Sequence, residues 1–506
     1  MGEVITLTGS NFGDSRDESY VTIAGTAPTS SSYYQWQDDV IMVRVPESGE
    51  SGLVYVHVGG KRSNGVLFSN SAAVPRPVEG EDFGLEPRIT AVSPQMGAPG
   101  SIITITGNNF GISRENAGVF FSWDFEASSF NPYAVLNPEF IEVSEAEFGY
   151  ESWSMREIRV RVPDGAVSGN LEIRTPHGKS RPVYFDVSGR PGMKTFRDKL
   201  SYTISYSVDV RILEAARPNT LYLWLPVPVT SPSQRNVTLI SRSIEPFVEN
   251  HRGVSLFKLD NLQAGANQTI NLSFNVEVYA QETSIRPLSI RQEDSPIHTA
   301  YTQSSSLIPS DNAEIRTIVN TITGREQNPY VKARQIYDWL LANMQITQNL
   351  SSPVTGIAAA LQQRQADPYN TALLFTAMAR AARIPCIPVA GVLVNRSGQT
   401  IRHYWAEFWI DGFGWLPVDP AMGAGAVPYS YITKQDMVNY YFGNLDNQRI
   451  AFSRGEINLS QIENRGRLVF HTQSYSLQNI WEEAGGGIES YSSLWGDIII
   501  DGIYLQ

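Results

Sequence analysis

A repeated strand-and-turn signature constrains this 506-residue chain more than any other feature. Residues 2–13 read GEVITLTGSNFG and residues 100–111 read GSIITITGNNFG. The same offset of 98 aligns Ser15 and Arg16 with Ser113 and Arg114. Farther along, Val43-Arg44-Val45-Pro46 returns as Val160-Arg161-Val162-Pro163, now at an offset of 117. The second copy therefore holds about 19 more residues between these landmarks, and the aromatic, acidic stretch from Trp123 to Trp153 is where they are expected. Val4, Thr6 and Thr8 alternate with Ile5 and Leu7, the period of a half-buried strand. Gly-Ser-Asn-Phe-Gly then supplies turn residues that tolerate positive φ. Both copies read as all-β modules.

This strand–turn pattern is similar to the IPT/TIG family of immunoglobulin-like sandwiches. The resemblance implies one such domain at 1–70 and a second, with an insertion, at 88–188. Residues 71–87, rich in Pro, Gly, Ala and Glu, read as a linker. Ile89-Thr90-Ala91-Val92-Ser93-Pro94 resembles the opening strand of that family. The first copy has no counterpart, so it is expected to lack its first strand and to continue from sequence upstream of residue 1. A further break falls at Ser188 to Gly192. Alternations at Tyr202 to Val210, Thr220 to Pro226, Val237 to Ile240 and Thr269 to Val278 then predict a third β unit over 196–290. It resembles the β domain ahead of the catalytic core in bacterial transglutaminase-like proteins.

The character changes over 311–455. Ile315, Ile318, Val319 and Ile322 fall at helical spacing, as do Ile336, Trp339, Leu340 and Met344. Thr371 to Ala382 predicts a buried helix. Strands are expected at Ile387 to Val394, Tyr404 to Ile410 and Trp415 to Val418, which gives an α+β core. Residues 456–506 read as a β-rich C-terminal extension, with a Gly485-Gly486-Gly487 turn and no assigned role.

Three segments of this core carry a second resemblance. Asp367-Pro368-Tyr369-Asn370-Thr371-Ala372-Leu373-Leu374-Phe375 runs on to Ile384-Pro385. His403-Tyr404-Trp405-Ala406-Glu407 follows, and then Gly414-Trp415-Leu416-Pro417-Val418-Asp419-Pro420. In order and spacing they are similar to the transglutaminase-like (papain-like) superfamily, whose forms read roughly GDCxxxALLFxALARAxGIP, HAWxE and GWxPVDP. A stretch from Tyr441 to Asp446, with Arg449 and Ile450, also looks like the family. The resemblance implies a cysteine nucleophile at a helix start, activated by His403, whose imidazole Asp419 orients. The chemistry needs those types: a thiol attacks as thiolate, an imidazole takes and returns the proton, and a carboxylate fixes the ring. The family cysteine stands seventeen residues before the proline of GIP, and that position here is Pro368. Asp367 as N-cap and Pro368 as first helical residue suit a helix start. A prolyl ring offers neither nucleophile nor titratable proton. The chain's one cysteine, Cys386, falls at the far end of the helix, roughly 18–21 Å away at 1.5 Å per residue. It reads as a small buried apolar group.

One cysteine excludes an internal disulfide and a thiolate zinc cage. The six histidines form no HxH or HExxH pair, so neither a metal nor a cofactor is expected. A net charge of −12 without a basic stripe argues against nucleic acid as a partner. No apolar run reaches the ~18–20 residues that span a bilayer. The expected fold is thus multidomain: all-β immunoglobulin-like sandwiches, two of them IPT/TIG, before a transglutaminase-like α+β core. The expected function is a pseudoenzyme that binds or scaffolds a protein or glycan ligand outside the cytoplasm, at a surface or in a periplasm. Asp367, Tyr369, Tyr404 and Trp405 are its candidate binding residues beside the remnant pair His403 and Asp419. An active cysteine-type acyltransferase or peptidase with another nucleophile is the rival, and a structural spacer the third reading.

Overall fold

The computed structural model describes residues 4–505 apart from 24, 47–51, 69–85, 115, 124–138, 145–146, 190, 288–289, 291–294, 350–355 and 464. Contacts divide the chain into two compact units. One comprises Met1–Met193, Ile285–Gln303 and Ile410–Gly414, and the other Lys194–Ser284, Ser304–Trp409 and Trp415–Gln506.

The first unit contains both copies of the repeat. Copy one runs through β1 (Val4–Thr8), β2 (Tyr20–Ile23), β3 (Tyr33–Trp36), β4 (Val40–Arg44), β5 (Gly52–Val58), β6 (Lys61–Arg62) and β7 (Val66–Phe68). One sheet has the order β1-β4-β3 and the other β2-β5-β6, with β7 also on β5. Their inner faces bury Phe12, Val21, Ile23, Ile41 and Val43. Copy two comprises β8 (Arg88–Ser93), β9 (Ile102–Asn108), β10 (Gly118–Trp123), β11 (Glu139–Glu142), β12 (Tyr150–Trp153), β13 (Glu157–Arg161), β14 (Gly169–Thr175), β15 (Gly178–Lys179) and β16 (Val183–Phe185). Its sheets run β12-β13-β9-β8 and β11-β10-β14-β15, with β16 on β14. Strand β8 has no equivalent among the described residues of copy one. The unit also holds α1 (Pro296–Tyr301), capped by the Ser295 side chain.

The two copies match down to single hydrogen bonds. The amide of Val21 donates to the Tyr33 hydroxyl at 2.8 Å, and that of Val119 to the Tyr150 hydroxyl at 3.0 Å. Indole Nε1 of Trp36 donates to the Phe12 carbonyl, as Trp153 does to that of Phe110. Arg16 and Arg114 each lie over the tyrosine ring of their own copy, at 4.7 and 4.9 Å. Tyr33 and Tyr150 stand at the offset of 117, so the extra residues of copy two enter between Trp123 and Tyr150. They include β11, while 124–138 fall outside the described residues, as do all but the last two of the linker expected at 71–87. The Tyr150 bond makes a modest prediction. Tyr150→Phe leaves a buried amide without its acceptor and is expected to cost about 1–3 kcal/mol. Urea unfolding measures it, and a change below a few tenths would show that the amide finds another acceptor.

The second unit begins with β17 (Gly192–Ala215), β18 (Thr220–Pro226), β19 (Gln234–Arg242), β20 (Val248–His251), β21 (Val254–Asp260) and β22 (Asn267–Ile285). Then come α2 (Ala313–Thr323), α3 (Pro329–Asn343), β23 (Gln345–Ile346), α4 (Gly356–Gln363), β24 (Gln365–Ala366) and α5 (Pro368–Ala381). Strands β25 (Cys386–Val394), β26 (Thr400–Ile410) and β27 (Gly414–Val418) follow, then α6 (Pro420–Gly423), α7 (Met437–Tyr440) and β28 (Arg449–Arg454). The tail adds β29 (Arg467–Val469), β30 (Glu482–Ala484), β31 (Ile488–Trp495) and β32 (Ile499–Leu505).

Here the structure corrects the sequence reading. Residues 456–506 do not stand apart as an extension. Strands β29 and β30 complete the sheet β20-β21-β18-β30-β29, and β31 and β32 pair with β17 in the sheet β19-β22-β17-β31. The sandwich forecast at 196–290 is therefore built from two distant stretches of chain. The sheet β27-β26-β25-β28 is antiparallel. Val392, Val394, Ile450 and Phe452 from it enter the same hydrophobic core as Tyr202, Ile204, Phe274 and Trp481 of the sandwich. Alternating apolar residues on β17 and β22 explain why those strands can face such a core: every second side chain points into it.

Candidate functional site

Helix α5 is buried along nearly its whole length, from Pro368 to Arg380. Its start follows from local chemistry. The Asp367 carboxylate accepts from the Asn370 amide at 2.7 Å, satisfying one orphan helix donor. Pro368 occupies the first helical position, where a missing N–H costs nothing.

His403 and Asp419 come together through the sheet. His403 lies on β26, and Asp419 follows β27 and caps α6, accepting from the Met422 amide at 2.9 Å. His403 Nε2 donates to Asp419 Oδ2 at 2.8 Å, and neither side chain is exposed. The same Oδ2 accepts from Arg449 Nη1 at 2.9 Å, and Arg449 Nη2 donates to Asp446 at 2.9 Å. Asp446 also accepts from the Tyr441 hydroxyl at 2.7 Å and the Gln448 amide at 2.9 Å. Burial alone would raise the Asp419 carboxyl, but His403 and then Arg449 outweigh it and hold it below the ordinary carboxylate value. Asp446 is likewise depressed: Arg449 overcomes its burial. An ionised Asp419 requires His403 Nε2 to carry the proton of their bond. The buried Nδ1 of His403 has no hydrogen-bond partner within the described structure.

The neighbours of His403 divide between two faces. His403 and Trp405 share one face of β26, their rings 6.3 Å apart and 23° from parallel. Arg449 covers that face, its guanidinium 4.9 Å from the Trp405 ring centroid. Tyr404 takes the opposite face, as strand alternation demands. There its ring meets Tyr369 of α5 edge-on at 5.0 Å, and Ala372 and Ala390 pack beside it. The helix headed by Pro368 thus approaches β26 on the Tyr404 face, while the His403–Asp419 pair is held from the Arg449 face.

The four candidate binding residues accordingly do not line one open cleft. Trp405 and Tyr404 are 2% and 5% exposed and point in opposite directions. The Tyr404 hydroxyl donates to the Ser474 carbonyl at 2.8 Å, and Gln473 Nε2 donates to Asp367 at 3.0 Å. Only Tyr369 and Asp367 keep partial exposure. Residues 473 and 474 went unforeseen, because no sequence signal links a Gln-Ser pair in the tail to a helix start a hundred residues earlier. Arg449 carried one signal, a charged residue inside a run that otherwise reads as buried strand.

Cys386 is fully buried, and burial pushes its thiol up to about 12. It pairs with Phe408 across the strands, whereas Gly391 pairs with His403. Five residues of strand separate those rungs, roughly 16 Å at ~3.3 Å per residue. Among the described residues no group of three or more His, Cys, Asp or Glu is placed to hold a metal ion.

With a helix-opening residue, a strand histidine and a strand-end aspartate in that order, residues 316–420 match the family described as the transglutaminase-like superfamily. This segment is similar to transglutaminase-like domains. Residues 1–71 and 87–133 match the IPT/TIG domain family. An uncharacterized protein of Haemophilus influenzae is 27% identical over 186 residues, covering 30% of this chain and 49% of its own length. The chain thus spans about half the length of that relative. Among solved structures, a Cytophaga hutchinsonii protein proposed to be a cysteine protease is 16% identical, with a TM-score of 0.36, over 62% of this chain and 92% of its own. The periplasmic domain of TgpA from Pseudomonas aeruginosa is 16% identical, with a TM-score of 0.28, over 46% and 92%. These likenesses are distant, and the transglutaminase-like domain takes no residue role from them. No helix among the described residues is long and apolar enough to cross a membrane.

Proposed function

We propose that the transglutaminase-like domain no longer performs acyl transfer and that the protein works by binding, as a scaffold or surface protein outside the cytoplasm. The observation that carries this reading is Pro368 at the head of α5, where the family's chemistry requires a thiol. Its support is threefold. Pro368 has no nucleophilic atom. The one thiol of the chain is buried, protonated at neutral pH and a strand's length from His403. His403 and Asp419 are tied into a network with Arg449 that leaves neither exposed. Such a network has a sufficient structural role: it joins β26, α6 and β28.

The test is incubation of the protein with a fluorescent amine and a glutamine-containing peptide, and separately with a casein substrate. Neither amine incorporation nor cleavage above buffer is expected, and Cys386→Ala should behave like the parent. Turnover that vanishes with Cys386→Ala, or with His403→Gln in a folded variant, would establish an active enzyme instead.

A further inference from the structure

The sandwich of the second unit has one outer face whose composition departs from the rest of the chain. On β17 and β22 the even-numbered residues, such as Tyr202, Ile204, Leu272 and Phe274, fill the core. Their odd-numbered neighbours therefore point outward. From 201 to 207 these read Ser, Thr, Ser, Ser, and from 269 to 275 they read Thr, Asn, Ser, Asn. No charge interrupts either row, in a chain that is 18% charged with a net charge of −12. The Thr203 hydroxyl donates to the Asn275 side chain at 2.8 Å, linking the two rows.

An apolar ridge borders these rows. Tyr504, Ile499 and Leu494 of β32 and β31 stand opposite Ser201, Ser205 and Asp209 of β17. They recur every four residues of β17, roughly 13 Å apart at ~3.3 Å per residue. They are 56%, 59% and 69% exposed. Tyr504 is laid back along its own strand over Gly502: a Cβ there would come within 2.7 Å of the Tyr504 hydroxyl. The glycine lets the ring lie down on the sheet. At the Leu494 end the face deepens into a hollow of about 420 Å³, bordered by Asp209, Arg211, Asn267, Thr269 and Ser492.

We infer that this face binds an extended, neutral polysaccharide. Sugar rings offer apolar C–H faces that pack on a tyrosine ring and an aliphatic ridge, and hydroxyls that pair with serine, threonine and asparagine. The middle of the face, over 201–207 and 269–275, carries no charge, while Lys199 and Glu277 stand at one end and Asp209 and Arg211 at the other. Burying an ion against that middle would cost solvation with no return, which favours a partner without charge there. A row of amide and hydroxyl groups beside exposed apolar side chains serves a long ligand better than a compact one. The inference deepens the binding role proposed above but rests on a different surface from the His403–Asp419 network. An acyl-transfer result therefore leaves it untouched, and its own failure leaves the reading of that network standing.

Native electrophoresis of the full chain in gels containing hydroxyethylcellulose or galactomannan, with polygalacturonate as the charged control, tests it. Retardation by a neutral polymer is expected. Tyr504→Ala should weaken it at least tenfold, Tyr504→Phe should retain it, and Gly502→Val, which lifts the ring, should weaken it several-fold. Circular dichroism confirms that the variants fold. Absence of retardation by both neutral polymers, retardation by polygalacturonate alone, or equal retardation of Tyr504→Ala and parent would overturn the assignment. A dimer dispersed by Tyr504→Ala in sedimentation would give the face to a second copy of the chain.

Discussion

Ending the chain at residue 465 is expected to unfold the sandwich of the second unit rather than trim it. The deletion removes β29 to β32 and so opens both sheets at once. It strips Tyr475, Trp481, Ala484, Ile488 and Ile498 from the core that packs on β17, β18 and β22. Losing buried Trp481 alone would cost about 3–5 kcal/mol, a large share of the ~5–15 kcal/mol that holds a typical domain. Polar losses add to this. The buried Glu482 carboxylate accepts from Trp495 Nε1 at 2.7 Å and from the Ser493 hydroxyl at 2.5 Å, tying β30 to β31. Hydrogen exchange on the full chain and the truncated one decides the matter. Amides of β17 and β18 should exchange slowly in the first and rapidly in the second. Protection that survives truncation would mean the first six strands hold a core by themselves.

The second large effect concerns Arg449. It is 4% exposed, and its guanidinium bridges Asp419 and Asp446, which are 0% and 4% exposed. Arg449→Met keeps the approximate volume but leaves two carboxylates buried without their cation. Breaking a buried pair from one side costs about 3–5 kcal/mol. The pH dependence has a defined sign. In the parent both carboxyls lie below their ordinary values. Groups depressed on folding contribute stability above the unfolded carboxylate value of about 3.9, and that contribution is lost as pH falls through the folded value. In the variant Asp419 keeps His403, but Asp446 loses the cation that overcame its burial and its carboxyl rises, so protonation of Asp446 relieves the variant at a pH where the parent is unaffected. The gap between parent and variant in urea unfolding should therefore be widest at pH 7 and narrower at pH 4.5. A loss under 1 kcal/mol at pH 7, or a gap independent of pH, would show that the network is not what holds these strands.

Much of this was legible along the chain because it is local. Strand period, the Gly-Asn turns and the helix start at Asp367-Pro368 depend on neighbours within a few residues, so β1, β9, α2, α3 and α5 could be read directly. The repeat was legible because two copies print the same pattern twice. Less was legible about the tail. Its short runs looked like loose strands, since a strand shows its own alternation but not its partner, and β30 finds β18 more than 250 residues away.

The site divides the same way. Sequence order alone named Pro368, His403 and Asp419, because spacing to fixed landmarks survives without coordinates. Only the tertiary structure decided what surrounds them. Strand alternation turns His403 and Tyr404 to opposite faces, Arg449 arrives on β28 to neutralise Asp419, and Gln473 and Ser474 close over Asp367 and Tyr404. Those contacts join residues 30 to 106 positions apart. A chain carries no mark of such pairings until burial selects which polar groups must find one another. Sequence determined that a proline stands at the helix start and that the helix forms there. Folding decided that His403 and Asp419 are buried and bonded into a network with Arg449.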